Sequence, residues 1–347
     1  MTYNSLELCA GAGGQALGLE EAGFEHSALV ELDEHAVQTL RLNRPEWKVI
    51  QADLFTWEAP CDLKGVDLLA GGVPCPPFSH AGLQLGEADE RNLFDRALEI
   101  VETVSPRGVM IENVRGLLDP KFDAYRQKIM SRLEGAGYVA EWRLLNASDY
   151  GVPQLRPRSI LIALQSQDFA NFQWPAGGGE PTTVGGALID LMASNGWEGA
   201  SSWAMGADRI APTLVGGSKK HGGPDLGPTR AKKAWEALGV DARGVANEAP
   251  AQGFEGSPRL TVRMAARIQG FPDSWSFVGR KTSAYRQVGN AFPPPVAEAV
   301  GRAIRMAFEA TDRNANSSTV RAARTSGRAQ NAVLVSGGTS EQIVFQL

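Results

Sequence analysis

The 347-residue chain carries a formal net charge of −5, with 43% hydrophobic and 21% charged residues. This excludes a wholly disordered chain and a protein that coats nucleic acid through bulk charge. No apolar run approaches the roughly 18 residues a bilayer span needs and no basic-then-apolar leader opens the sequence, so a cytoplasmic protein without membrane contact is expected.

The first predicted strand, SLELCA, breaks at GAGG, and QALGLEEAGF then places Ala16, Leu17, Leu19 and Ala22 at helical spacing before Gly23 stops it. SALVEL follows as a second strand, and Asp33 is placed to cap the helix EHAVQTLRLN. The alternation continues with strands KVIQAD and VDLLAGG, helix NLFDRALEIVETV, strand GVMIEN, helix FDAYRQKIMSRLEGAG, and strands near EWRLLNAS and RSILIAL. Such a pattern predicts an α/β fold with a doubly wound sheet, its last strand pair closing one edge antiparallel and its ligands beyond the strands' carboxyl ends.

After about residue 170 the sequence becomes rich in glycine and proline and loses steady periodicity. The expected organisation is a catalytic and cofactor-binding domain over 1 to 172, a loop-rich target-recognition lobe over 173 to 256, a return to the catalytic domain over 257 to 310, and a disordered tail over 311 to 347. Helices are expected at TVRMAARIQG and PPPVAEAVGRAIRMAFEA, the latter opened by prolines that suit a first turn.

Three cysteines, Cys9, Cys61 and Cys75, are too few for a disulfide framework or a CxxC zinc site, so no metal is expected and any cysteine chemistry is solitary. The turn CAGAGG between strand and helix lets a ligand approach backbone at a helix N-terminus. Glu31, about 20 residues on, ends the second strand where a ribose diol would want an acceptor, and Asp53 ends the third where an adenine amino group could be met. Three successive strand ends thus describe a nucleoside-containing cofactor. The turn lacks GxGxxG spacing and the next strand leads to Cys75, which favours S-adenosylmethionine over a nicotinamide. In GGVPCPPFS, prolines 74, 76 and 77 remove donors and stiffen the loop that holds the Cys75 thiol.

Taken in order, LELCAGAGG, GGVPCPPFS, ERNLF, IENVRGLL, YGVPQLRPRSILI, RLTVRMAARIQGFPDSW and YRQVGNAFPPPVAEAVG resemble the DNA (cytosine-5)-methyltransferases of prokaryotic restriction-modification type, over residues 5 to 305. The resemblance implies a Rossmann-like S-adenosylmethionine-dependent fold in which Cys75 adds to C6 of a flipped cytosine in duplex DNA, Glu112 shares a proton with N3, and Arg158, rather than Arg156, orients that acid and contacts the base. Glu112 is therefore expected to have a raised pKa. The cofactor contacts implied are Cys9, Gly11, Gly13, Gly14, Glu31, Leu32, Asp53, Leu54, Pro74 and Asn290, the last reached because the C-terminal helix returns beside the first strand. DNA contacts are expected at Ser79 and Arg91 behind the thiol, and at Lys219, Lys220, His221 and Arg230 in the basic stretch of the lobe.

The chain departs from the family pattern in two places: Cys9 stands where an aromatic residue usually meets the adenosyl group, and Pro76 stands where glutamine usually follows the nucleophile. A transfer RNA cytosine-5 methyltransferase is the enzymatic rival, opposed by the absence of any cysteine after Cys75; an inactive DNA-binding homologue is the other, opposed by retention of thiol, acid and arginine. The resemblance further implies a monomer acting on double-stranded DNA, either solitary or beside a cognate restriction endonuclease that acts separately.

Overall fold

The computed structural model describes residues 2 to 73, 93 to 216 and 225 to 335, with side chains as far as residue 316. Seven strands form one sheet in the order β3-β2-β1-β4-β5-β7-β6. They are β1 (Tyr3–Leu8), β2 (Phe24–Glu31), β3 (Val49–Gln51), β4 (Leu68–Gly71), β5 (Gly108–Val114), β6 (Tyr138–Asn146) and β7 (Pro157–Gln165). The first five run parallel and β7 pairs antiparallel with both β5 and β6, as the sequence pattern predicts. The strand order reverses direction between β1 and β4, the topological switch point at which ligands bind in open α/β sheets.

Helices cover both faces. α1 (Gly14–Glu21), α2 (Glu34–Asn43) and α11 (Pro294–Val335) pack on one, and α3 (Leu93–Val104) and α4 (Asp123–Gly135) on the other. Central β1 is accordingly buried along nearly its whole length. The Asp33 carboxylate caps α2, accepting from the N–H groups of His35 at 3.0 Å and Ala36 at 3.3 Å. Glycines bring the last long helix against the first: a Cβ on Gly18 would lie 2.6 Å from the Ala297 Cβ, and one on Gly14 would collide with the Phe292 carbonyl. This contact carries residues near 290 back to the start of the chain.

Two segments carry more helix than their sequence pattern suggests. The segment read as loop-built contains α6 (Val184–Ala193), α7 (Ala200–Gly206) and α8 (Thr229–Glu236), after a short α5 (Ser166–Phe169), and shares a core of Leu188, Met192, Trp197, Trp235 and Leu238 with α9 (Val262–Ile268) and α10 (Lys281–Asn290). Buried tryptophans and a Thr183 cap on the Gly186 N–H hold these helices despite their glycines. The tail does not leave regular structure at residue 311. α11 continues to Val335, through a stretch without proline. At its base Asp312 accepts from the Tyr3 hydroxyl at 2.7 Å and pairs with Arg107 at 2.9 Å.

Candidate active site

Beyond β1 the chain turns through Cys9 (φ 54°) and Gly11 (φ 56°), and Gly13 (φ 87°) precedes α1 with no side-chain cap. Left-handed backbone of this kind suits glycine and strains other residues, Cys9 included. Gly13 has no room either, since a Cβ there would lie 2.7 Å from Leu40 and 2.9 Å from the Trp275 ring. A Cβ on Gly11 would meet nothing within 4 Å, so the turn is open at that point. Trp275 holds the turn from below, its indole N–H donating to the Ala12 carbonyl at 3.1 Å.

Glu31 closes the adjacent strand end. Its carboxylate accepts from the N–H groups of Gly11 and Asp33 at 2.7 Å and of Leu32 at 2.9 Å. Burial pushes its pKa up and those three donors pull it back. The Leu32 side chain is 60% exposed beside it, and exposed Asp53 keeps one oxygen on the Phe55 N–H at 3.0 Å. Burial pushes the Cys9 thiol well above its usual range, with Glu31 and Asp53 close enough to add to the shift. Three strand ends therefore converge, with the half-buried Cys9 thiol among them. The Leu54 side chain lies in the core at 4% exposure. A carboxylate for a diol, a second acid, an exposed leucine and an open glycine turn fit the chemistry of S-adenosylmethionine.

The second constellation sits at the end of β5. Arg158 Nε meets Glu112 Oε1 at 2.7 Å, with both side chains about one-eighth exposed. The pair is placed by register: Glu112 faces Ile160 and Val114 faces Arg158 across the antiparallel β5–β7 ladder, so acid and arginine project from one face. Burial raises the Glu112 pKa above the usual carboxyl range, although Arg158 and Arg156 both pull it down. The other Glu112 oxygen lies against Gly72, where a Cβ would stand 3.4 Å from it. Neighbouring Asn113 donates to the Val73 carbonyl at 3.1 Å. The acid therefore borders the strand end that leads, two residues past Val73, to Cys75.

Pro74, Cys75, Ser79 and Arg91, and Lys219, Lys220 and His221 in the lobe, lie outside the described residues. Arg230 is exposed near the start of α8, while Lys232 of the same basic stretch is paired with Asp225 at 2.8 Å. Asn290 ends α10. Its side-chain oxygen lies against Gly216 of the lobe, and the adjoining Ala291 Cβ packs on the Gly14 position, 3.2 Å from where a Cβ would stand. Asn113 and Trp275, which hold the Val73 carbonyl and the glycine turn, are not singled out by sequence. Their signal was only membership of IENV and FPDSW.

A family model of the C-5 cytosine-specific DNA methylases matches residues 3 to 306. The chain is 60% identical over 308 residues to the Type II methyltransferase M.NaeI of Lentzea aerocolonigenes, covering 87% of this chain and 75% of that one. It is 53% identical over 313 residues to the Type II methyltransferase M.NgoMIV of Neisseria gonorrhoeae, covering 89% and 99%. In fold it is similar to a crystal structure from Escherichia coli assigned as a prophage-encoded DNA modification methyltransferase, with a TM-score of 0.63, 22% identity and coverage of 89% and 100%. With the strand-end geometry and a family match that spans the sheet, the lobe and the returning helix, the chain belongs to the C-5 cytosine-specific DNA methylases.

Proposed function

We propose that this DNA (cytosine-5)-methyltransferase acts through Cys75, Glu112 and Arg158 on a cytosine rotated out of a short duplex site. The Cys75 thiolate forms a bond to C6, and Glu112 meets the charge that develops on the ring by giving its proton to N3. Those two events leave C5 electron-rich. Arg158 holds the carboxyl in place and contacts the base. S-adenosylmethionine, when bound, supplies an electrophilic methyl group. Glu31 is suited to its ribose hydroxyls, Asp53 to its adenine, and the Asn290 end of α10 to its methionine portion. Once C5 is substituted, loss of the C5 proton to water, breaking of the C6–S bond and return of the N3 proton to Glu112 restore ring and enzyme.

The observation that carries this reading is the buried Glu112–Arg158 pair, with Glu112 raised in pKa and bordering the strand end ahead of Cys75. A neutral carboxyl is what donation to N3 requires at ordinary pH. Extrusion of a stacked base costs roughly a few kcal/mol, which contacts from the lobe over about 173 to 256, Lys219, Lys220, His221 and Arg230 among them, and from Ser79 and Arg91 offset. The Type II names of the relatives support a place in a restriction-modification system; a cognate endonuclease acting separately on the same duplex, a monomeric enzyme and a cytoplasmic location are part of the same proposal.

Bisulfite sequencing of a plasmid from cells expressing the chain, beside the Cys75→Ala variant, tests the proposal. Protected cytosines sharing one short motif and vanishing in the variant are expected. Protection that persists in Cys75→Ala would remove the nucleophile, and unprotected DNA in both would point to an RNA substrate or an inactive homologue.

A further inference from the structure

Arg156 is 1% exposed, yet its guanidinium does not touch Glu112; it donates to the carbonyls of Leu214 at 2.8 Å and of Gly289 and Ala291 at 2.9 Å each. Two of these carbonyls flank Asn290 and the third belongs to the lobe. Gln154, wholly buried, takes the Leu214 N–H at 2.7 Å and donates to Gln269 at 2.7 Å, and Gln269 donates in turn to the Ala291 carbonyl. Both main-chain groups of Leu214 are thus held by side chains two residues apart on one segment. That segment also pairs directly with the lobe: Leu155 N–H donates to the Ala211 carbonyl at 2.8 Å and Ala211 N–H to the Pro153 carbonyl at 3.0 Å.

A second observation marks the same seam. Gly216 and Gly289 abut, so that a Cβ on Gly289 would strike the Gly216 nitrogen, and a Cβ on Gly216 would stand 2.5 Å from both the Asn290 side-chain oxygen and the Arg286 carbonyl. Taking a guanidinium out of water costs several kcal/mol unless its donors are matched, and an apolar side chain fills the same volume without that cost. The arginine is better explained by what it joins than by the stability it adds.

We propose that Arg156 is a positioning residue that, with Gln154, Gln269 and the Gly216–Gly289 contact, makes the lobe segment ending at Gly216 and the Asn290 end of α10 one rigid piece, so that duplex DNA and cofactor strengthen each other's binding. The inference rests on the reading of the Asn290 end as part of the cofactor site and of the lobe as the DNA reader. Coupling of this kind is reciprocal, and fivefold to about 150-fold effects are typical. It is lost when the joint is loosened, even if each surface is intact.

The test is calorimetric titration of S-adenosylhomocysteine into the full chain, with and without a duplex carrying the mapped methylation motif, for wild type, Arg156→Lys and Gly216→Ala. Lysine keeps the charge but, as a point donor, cannot span three carbonyls; the alanine leaves Arg156 in place and pries the glycine seam apart. In wild type the duplex is expected to tighten S-adenosylhomocysteine by about tenfold or more, and in either variant by less than about twofold. The reciprocal effect of S-adenosylhomocysteine on duplex affinity should fall by the same factor. A lowered unfolding midpoint with the enhancement intact in both variants would make the network purely structural and overturn the proposal, as would a wild type whose affinity the duplex leaves unchanged. If Arg156→Lys does not fold, Gly216→Ala decides alone. A wild type that binds the duplex but no S-adenosylhomocysteine would instead sink the cofactor reading beneath it.

Discussion

Glu31 and Glu112 stand at strand ends on opposite sides of the switch point, both partly buried and both raised in pKa, yet their partners differ in kind. Glu31 faces three main-chain N–H groups, which can only donate and so favour a charged acceptor. Among the described residues Glu112 pairs with Arg158 and has Gly72 beside its other oxygen, and burial raises its pKa against the pull of Arg158 and Arg156, an arrangement that tolerates a proton. A third carboxylate, Glu7 on central β1, is fully buried with neither oxygen partnered among the described residues, and its pKa is pushed up to about 8 by burial. The three form a series in which burial is common and the partners differ, which on the proposed function suits Glu31 to accept from hydroxyls and Glu112 to donate a proton, with Glu7 as the unpartnered reference.

The largest effect expected is at Glu112. Glu112→Gln keeps the shape and removes the transferable proton, and should slow methyl transfer about 10³-fold in single turnover, with S-adenosylhomocysteine affinity unchanged within about twofold. Equal losses in both measurements would merge the two carboxylate roles into one. Next is Glu7, which calibrates burial without a partner. Its folded pKa lies above the unfolded value of 4.5, so the stability it contributes is complete below pH 4.5 and is lost as pH rises through about 8. The loss is on the order of 4 kcal/mol by pH 8. Glu7→Gln should flatten that slope in urea unfolding measured at pH 5 and pH 8; a slope left in place would assign it to another group.

Arg158 offers a smaller and more specific effect. Its cation lowers the Glu112 pKa, so Arg158→Met should move that pKa further up. If Glu112 acts in its protonated form, as proposed, the alkaline fall of the transfer rate should shift to higher pH, beneath an overall loss of about 10²-fold from a misplaced acid. A rate that instead rises with pH through the Glu112 pKa would mean the carboxylate, not the acid, is the working form.

How far sequence reaches follows the same division. The parallel sheet and α1 to α4 are legible because apolar spacing, the Asp33 cap and glycine stops all agree, and consistency across levels is what makes a segment readable. Glu112 and Arg158 are legible through their motifs. Arg156 and Gln154 were not: polar residues in a loop-like stretch are most often exposed, and only tertiary packing shows that three distant carbonyls need them. α6 to α8 were missed because their helices depend on Trp197, Trp235 and a shared core rather than on their own periodicity. Trp275 under the glycine turn lies 263 positions from its partner, beyond any local pattern.

The smallest effect expected is at Glu31, and it tests the acceptor end of the series most directly. Both oxygens are occupied by donors, Oε2 by Gly11 and Oε1 by Leu32 and Asp33. An amide in Glu31→Gln therefore turns an N–H toward an N–H on one side, and on the other leaves a neutral oxygen where a charged acceptor stood. Weaker S-adenosylhomocysteine binding is expected, roughly tenfold or about 1.4 kcal/mol. The single-turnover rate at saturating cofactor should hold within about twofold, because on the proposed function Glu31 meets the cofactor's ribose while Cys75 and Glu112 meet the ring. If the rate falls while binding holds, Glu31 acts on the chemistry rather than on the cofactor, and the contrast between N–H donors at one strand end and an arginine at the other no longer explains the division of labour.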